Sequence, residues 1–284
     1  MTVLPVSIKN GNALLAAVFC FSLAIPVHAQ NNTATFKVIA FFTAKQDAAH
    51  ISFVHEANIW FPQIARQYNF IYDSTNDWSK LNTEFLKQYK VVLFLDTRPE
   101  DSLQRLAFEQ YMKHGGGWMG FHFAAFALTP SDYPQNWNWY HNEFIGAGQY
   151  KSNTWRPTAA VLRVEDSTHP TAKGLLPTFK SAPNEWYRWE NDLRKNGDIK
   201  ILLSMDVASF PLGTGPKLNE IWHSGYYPVA WTNTKYKMVY INMGHNDMDY
   251  EHGTNAQLSS TFSSEEQNRF IINSLLWLAG RTDK

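Results

Sequence analysis

The stretch that most constrains the fold covers residues 115–126, Gly-Gly-Gly-Trp-Met-Gly-Phe-His-Phe-Ala-Ala-Phe. Apolar residues recur at helical spacing before it, and Gly115 falls where a helix usually ends in a left-handed residue. Residues 118–121 are apolar, too few for a helix, and suited to a strand buried on both faces. His122 follows directly, among small residues that allow a sharp turn. A turn from strand to helix lies at the carboxyl edge of a sheet, where open α/β sheets bind ligands. His122 is therefore the first candidate for chemistry, and a histidine hydrogen-bonded beside a core strand is the alternative.

Strand and helix signals alternate on both sides of this stretch. Residues 36–42 and 90–95 are short apolar runs typical of parallel strands. Between them, Asp47 is placed to cap a helix whose apolar face continues to Tyr68, and Pro62 should kink or end that helix. Pro99 is placed to begin the helix before Gly115. This alternation predicts an α/β, flavodoxin-like fold with a mostly parallel sheet and helices on both faces.

The second half of the chain adds strands and a closing helix. Ser264 and Gln267 form a capping box, and the apolar stripe that follows predicts the last helix. The sequence predicts a second strand at residues 69–72, a short helix near 81–86, and later strands at 158–164, 198–204, 220–223, 228–232 and 237–243.

The first 29 residues resemble an export signal. Lys9 is their only charged residue, an apolar run follows, and Val27-His28-Ala29 resembles a cleavage site. We expect cleavage after Ala29, a polar leader at residues 30–35, and one domain at residues 36–280. The predicted location is periplasmic or secreted. Cys20 is the only cysteine and lies inside the signal, so the mature protein would have no thiol nucleophile, disulfide or zinc-thiolate site.

Composition narrows the range of partners. The chain has 25 basic and 25 acidic residues without a basic stripe, which argues against nucleic acid as a partner. The apolar run at the N-terminus is short for a membrane span, so no membrane contact is expected after cleavage. The 11 tryptophans suit sugar binding, because apolar sugar faces stack on rings, and they also suit a packed core. Oligomeric state, including a homo-oligomer, stays open.

Several polar residues are expected at the same sheet edge as His122. His245 follows the predicted strand 237–243 and is joined by Asp247, while His50 lies in the first turn of the first helix. Glu185 stands among aromatic residues, which can keep a carboxyl neutral and able to donate a proton. A salt bridge from Glu185 to Arg188 or another base is the alternative.

An aromatic-rich segment follows the turn at His122. It is too irregular to be a core helix throughout, and long loops in compact domains are often functional. Two residues in it, His141 and Glu143, would not share a helix face. The predicted substrate-binding residues are Trp137, Tyr140, His141, Glu143, Trp186 and Tyr187.

These motifs resemble the ThuA-like, or trehalose-utilisation, family. The resemblance is carried by residues 115–125, His169-Pro170, Asn184-Glu185-Trp-Tyr, Pro228-Val-Ala-Trp, Gly244-His245 and the closing Leu-Trp-Leu-Ala-Gly at 276–280. It implies a class I glutamine amidotransferase-like fold. In those amidotransferases a cysteine stands at the sharp turn, and a His-x-Glu pair follows a later strand.

Carried over by position, the resemblance places His122 where the cysteine would stand. His245 and Asp247 lie where the later pair is expected. Without a thiol the chain cannot form a glutamyl thioester, so we expect no glutaminase activity. Asn184-Glu185 departs from the Asp-Glu usual in the family. The relatives imply carbohydrate as the substrate class.

Three functions remain open at this point. The first is an exported carbohydrate-processing enzyme, a hydrolase, lyase or isomerase, in which His122, His245, Glu185 and Asp247 act on a sugar or keto-glycoside. The second is a non-catalytic carbohydrate-binding module, and the third is an assembly or signalling protein that uses exposed aromatic residues as an interface. In a metal-assisted variant of the enzyme, His50, His122 and His245 hold a divalent ion such as zinc, with Asp247 or Glu185 as oxygen donors.

Overall fold

The structure, a computed structural model, describes residue 1 and residues 35–129, 137–154, 156–209, 225–246 and 259–281. Residues 33–284 belong to one compact unit. The strands are β1 Lys37–Phe41, β2 Ile71–Thr75, β3 Val91–Phe94, β4 Gly117–Phe121, β5 Tyr150–Asn153, β6 Val161–Val164, β7 Thr178–Lys180, β8 Tyr187–Trp189, β9 Ile199–Met205, β10 Pro228–Asn233 and β11 Tyr236–Ile241. The helices are α1 Ala48–Tyr68, α2 Thr83–Leu86, α3 Ser102–Lys113 and α4 Glu265–Ala279.

Most described strands join one mixed sheet. Its nine strands lie in the order β2-β1-β3-β4-β11-β10-β9-β6-β7, and β5 pairs with β8 in a separate ribbon. The first five strands of that order, β2 to β11, are parallel to one another, and the pairs from β11–β10 onward are antiparallel. The predicted α/β class is therefore confirmed. Because β4 and β11 are adjacent and parallel, their carboxyl ends open side by side.

Helices cover both faces of this sheet. On one face, α1 and α4 pack Phe53 and Phe270 against residues such as Phe121. On the other face, α3 packs Phe108 against Trp118. Side chains alternate between the faces along each strand, so β4 contributes to both cores. Among the described residues, no helix combines the length and apolar character needed to span a membrane.

Of the two predictions about proline, the one for Pro99 was wrong, and the one for Pro62 was wrong in that the helix does not end there. Pro62 neither ends nor limits α1, which continues to Tyr68, because packing of the apolar face outweighs one lost helical hydrogen bond. Pro99 does not begin α3, which starts at Ser102 with Asp101 as its N-cap. The Asp101 carboxylate accepts hydrogen bonds from two backbone amides, which proline cannot match. The predicted strand at 220–223 lies outside the described residues.

Candidate functional site

The candidate site lies at the carboxyl edge formed by β4 and β11. His122 is the residue directly after β4, at a left-handed φ of 40°. The Tyr240 hydroxyl of β11 donates a 2.8 Å hydrogen bond to the His122 carbonyl and holds this turn. Non-glycine residues rarely adopt such a conformation, and strained backbone concentrates at functional sites. The predicted sharp turn is confirmed.

His245 reaches the same edge from the neighbouring strand. Its side chain is buried and its ring is parallel to that of His122, with 5.1 Å between the centroids and 4° between the planes. The His50 ring, from the first turn of α1, lies 4.8 Å from the His245 ring and 5.6 Å from the His122 ring. The three histidines predicted from separate parts of the chain therefore meet.

Glu185 lies between the two parallel imidazoles. Its Oε2 is 3.3 Å from His122 Nε2 and 3.1 Å from His245 Nδ1. Asn153 donates a short hydrogen bond to Oε1, and the Glu185 backbone amide donates one of 2.7 Å to the His245 carbonyl. These contacts fix the carboxylate from two sides. Of the alternatives left open by the sequence, Glu185 follows the one in which it pairs with a base, and the bases are His122 and His245 rather than Arg188.

Asp47 contacts the His245 ring at the nitrogen that does not face Glu185. Its Oδ1 is 3.4 Å from His245 Nε2 and also accepts the Ala49 amide as the N-cap of α1. The sequence indicated the capping role but not the contact with His245. The contact joins residues far apart in the chain, which come together because β1 and β11 run in the same direction and α1 follows β1.

Asp47, His50, His122, Glu185 and His245 form one cluster. The protonation states of its histidines are set by burial and by the two carboxylates. Burial lowers the pKa of His50 to about 3 and that of His122 to about 4, so both rings are neutral at pH 7. Burial also opposes a charged His245, but the Glu185 carboxylate and the Asp47 hydrogen bond outweigh it and raise the pKa to about 10. His245 is therefore an imidazolium between two carboxylates.

Glu185 differs from the sequence prediction in its protonation state. Burial favours its neutral form, but the His245 charge and the contact with His122 outweigh burial and lower the pKa of Glu185 to about 2. The prediction that Glu185 is a neutral carboxyl and donates a proton was therefore wrong for the protein with His245 protonated. The aromatic neighbours suggested an apolar pocket, whereas two imidazoles occupy it.

Aromatic rings form one wall beside the imidazoles. The Tyr187 ring lies 3.9 Å from the His122 ring, and Tyr150 lies 5.0 Å from Tyr187. Phe123 lies 5.1 Å from the His50 ring and stacks on Phe126 at 4.7 Å. Phe123, Phe126 and Tyr150 are half-buried, so they present ring surface next to the cluster. Of these four aromatic residues, only Tyr187 was among the predicted substrate-binding residues.

Other predicted substrate-binding residues lie away from this cluster. Trp137 and Tyr140 stack on each other in the α3-side core, where Tyr140 has no exposed surface. Trp186 is fully buried in the α1-side core. Glu143 is exposed, and its carbonyl accepts from Asn233 at the opposite end of β10 and β11. A high density of aromatic residues is typical both of packed cores and of sugar-binding sites. The sequence pattern therefore could not tell which of these rings lie in the core.

The last two predicted residues have different outcomes. His141 is buried and packs against the Tyr140 ring, and neither of its ring nitrogens has a hydrogen-bond partner among the described groups. Burial lowers the pKa of His141 to about 3, so it is neutral. Asp247 lies outside the described residues, and its predicted catalytic role stays a prediction.

The backbone at His122 leads to a stability prediction. The left-handed conformation costs an L-residue about 1–2 kcal/mol, and glycine escapes that cost. We expect His122→Gly to be more stable than His122→Ala by about 1 kcal/mol, although glycine normally loses to alanine in regular structure. Urea unfolding of both variants measures this difference. An alanine variant that equals or exceeds the glycine variant in stability would show that the turn is unstrained.

The fold and site together define an α/β protein with a glutamine amidotransferase-like fold and a histidine at the turn of the central strand. A family model described as ThuA, trehalose utilisation, matches residues 38–277. The chain belongs to the ThuA family, which associates it with carbohydrate utilisation at the level of the family.

Solved structures agree with this assignment. A ThuA-like protein from Bacteroides uniformis is 33% identical, with a TM-score of 0.76 over 89% of this chain and 95% of that chain. A ThuA-like protein from Parabacteroides merdae is 17% identical, with a TM-score of 0.58 over 88% and 92% of the two chains, and shows likeness of fold. No curated protein matches the sequence significantly.

Proposed function

We propose that this protein is an exported carbohydrate-processing enzyme that acts on a keto-glycoside and has no glutaminase activity. The observation that carries the proposal is the placement of Glu185 between His122 and His245 at the carboxyl edge of the parallel strands. Ligands of open α/β sheets bind at this edge. Buried ionisable groups that share contacts in such a place are typical of catalytic centres.

The proposed reaction needs proton transfer and no covalent nucleophile. In a glycoside with a carbonyl at C3, the C2 proton is acidic. A base removes that proton, its electron pair forms the C1–C2 double bond, and the C1–O bond breaks. The leaving oxygen takes a proton and departs as an alcohol. Imidazoles suit both proton transfers, and general acid–base catalysis contributes about 10²–10⁴-fold.

The cluster contains groups for each part of this reaction. Neutral imidazoles are available to accept the C2 proton, and a positive centre is available to stabilise the enolate oxygen. The His50 ring adds a further acceptor, since its Nε2 is buried without a hydrogen-bond partner among the described groups. The half-buried rings of Phe123, Phe126 and Tyr150 offer the apolar surface on which a sugar ring stacks.

Two sequence features support the remaining parts of the proposal. Cys20 is the only cysteine, so a mature chain without residues 1–29 has no thiol for a glutamyl thioester. The charge and apolar pattern of residues 1–29 supports export to the periplasm or the medium.

A turnover assay tests this function. The mature chain is incubated with the nitrophenyl glucoside oxidised to the ketone at C3, with 3-keto-trehalose, and with both parent sugars. We expect release of nitrophenol, and of glucose from the keto-disaccharide, with no reaction of the parent sugars. Calorimetric binding of the intact keto-glycosides without any product would instead identify a non-catalytic carbohydrate-binding module. Turnover of glutamine would contradict the absence of glutaminase activity.

A further inference from the structure

We infer that His122, Glu185 and His245 form a binding site for a divalent transition-metal ion, for which Zn²⁺ is the best fit. The inference rests on the proposed function and refines it. A bound ion would supply the positive centre in place of the His245 imidazolium, which must lose its proton to bind a metal, and His50 would remain as the imidazole that accepts the C2 proton. The readout is metal binding and needs no sugar. Two imidazoles and one carboxylate are a known ligand set of catalytic zinc, with a position left for water or substrate.

The arrangement of the three donor atoms supports a shared ion. Ligand atoms on one tetrahedral Zn²⁺ lie about 3.3 Å apart, because each bond is about 2.0–2.1 Å long. Glu185 Oε2 lies 3.3 Å from His122 Nε2 and 3.1 Å from His245 Nδ1. Neither nitrogen is aligned for a hydrogen bond, and both are buried without such a partner among the described groups. The donors thus converge without pointing at one another.

Surrounding contacts hold these ligands in place. The Glu185 Oε1 atom accepts from Asn153, which leaves Oε2 to face the imidazoles. The Tyr187 ring packs at 3.9 Å on the His122 ring. The backbone of Glu185 is hydrogen-bonded to that of His245, so these two ligands move together. Outer contacts of this kind orient metal ligands, and their loss typically costs 10- to 100-fold in affinity.

A second set of donors competes for the ion. Asp47, His50 and His245 also place their donor atoms within 4.8 Å of one another. That set is less suitable, because Asp47 is exposed and already caps α1, whose N-terminus repels a cation. The predicted set of three imidazoles is not among the sets whose donor atoms all converge in the described residues. We therefore assign the ion to the inner set, His122, Glu185 and His245, in which Glu185 takes the place that was predicted for His50. Asp47, His50 and His245 are the outer set.

Metal binding is tested on the untagged mature chain. Protein purified without chelator or added metal is analysed for bound metal, and Zn²⁺ is then titrated by calorimetry into chelator-treated protein. We expect about one zinc per chain. Glu185→Gln and His122→Ala should each weaken binding at least 100-fold, and Asn153→Ala should weaken it about 10- to 100-fold. Replacement of zinc by Co²⁺ should give the absorption spectrum of a tetrahedral site.

Controls separate this inference from its alternatives. His114→Ala removes an exposed histidine on the far side of α3 and should leave zinc affinity unchanged. Asp47→Asn should change affinity by less than tenfold. If Asp47→Asn abolishes binding and Glu185→Gln does not, the ion occupies the outer set and the inference is wrong. Turnover of keto-glycosides by metal-free protein would overturn the metal site's role and leave the proposed function standing. Tight zinc binding without turnover would do the reverse.

Discussion

Replacing Glu185 by glutamine is expected to lower kcat/KM for a 3-keto-glucoside by about 10³-fold. The substitution keeps the size of the side chain and its acceptor for Asn153, but it removes the charge that contacts His122 and His245. Without that charge His245 loses the main group that keeps it protonated, and the acid–base catalysis by the imidazoles contributes about 10²–10⁴-fold in rate. The effect should fall mainly on kcat, because the carboxylate is buried and its Oε2 contacts the two imidazoles.

The control for this prediction is Glu84→Gln. Glu84 is exposed on α2 and, among the described residues, forms an ion pair with the exposed Lys87. Its loss should change neither activity nor stability by a measurable amount, since surface ion pairs contribute about 0–1 kcal/mol. Thermal unfolding of both variants shows that they fold. Full activity of a folded Glu185→Gln protein would exclude this cluster as the catalytic centre.

The fold was largely predictable because its strands and caps are local signals. The four buried residues of β3 and the left-handed Gly115 after α3 correspond to patterns visible within a few residues. The observed ends of helices differ from the predicted ends where tertiary contacts outweigh the local preference of a residue. Pro62 stays within α1 since the helix packs Phe61 into the core, and propensity alone does not include that contribution.

The site was predictable only in part. His122 directly follows β4, and His245 comes shortly after the end of β11 at Ile241. Because β4 and β11 are adjacent and parallel, both residues come to the same edge of the sheet. Asp47 and Asn153 were not predicted as members of the site, because their contacts depend on the packing of α1 and of the β5–β8 ribbon. The charge on Glu185 could not be predicted either, since it depends on which groups surround a buried carboxyl.

Replacing Trp186 should have the largest effect on the stability of the fold. The result distinguishes a structural role of Trp186 in the core from its predicted role in substrate binding. Its side chain is fully buried, its indole donates a 2.7 Å hydrogen bond to the Thr158 carbonyl, and its amide donates one to the Thr154 hydroxyl. Replacement of a buried tryptophan by alanine typically costs about 3–5 kcal/mol. We therefore expect Trp186→Ala to lower the free energy of unfolding by that amount in urea titrations.

Trp186→Phe distinguishes the contributions within that loss. It retains most of the apolar contact and removes the indole donor, but the Thr158 carbonyl still accepts from the Asn184 amide, so the loss should be about 0.5–1.5 kcal/mol. Leu103→Ala, at an exposed position of α3, is the control and should stay within about 0.5 kcal/mol of the parent. A Trp186→Ala protein with unchanged stability but weaker sugar binding would restore the substrate-binding role. The expected result instead places Trp186 in the core that positions Glu185, one residue before it, against the two imidazoles.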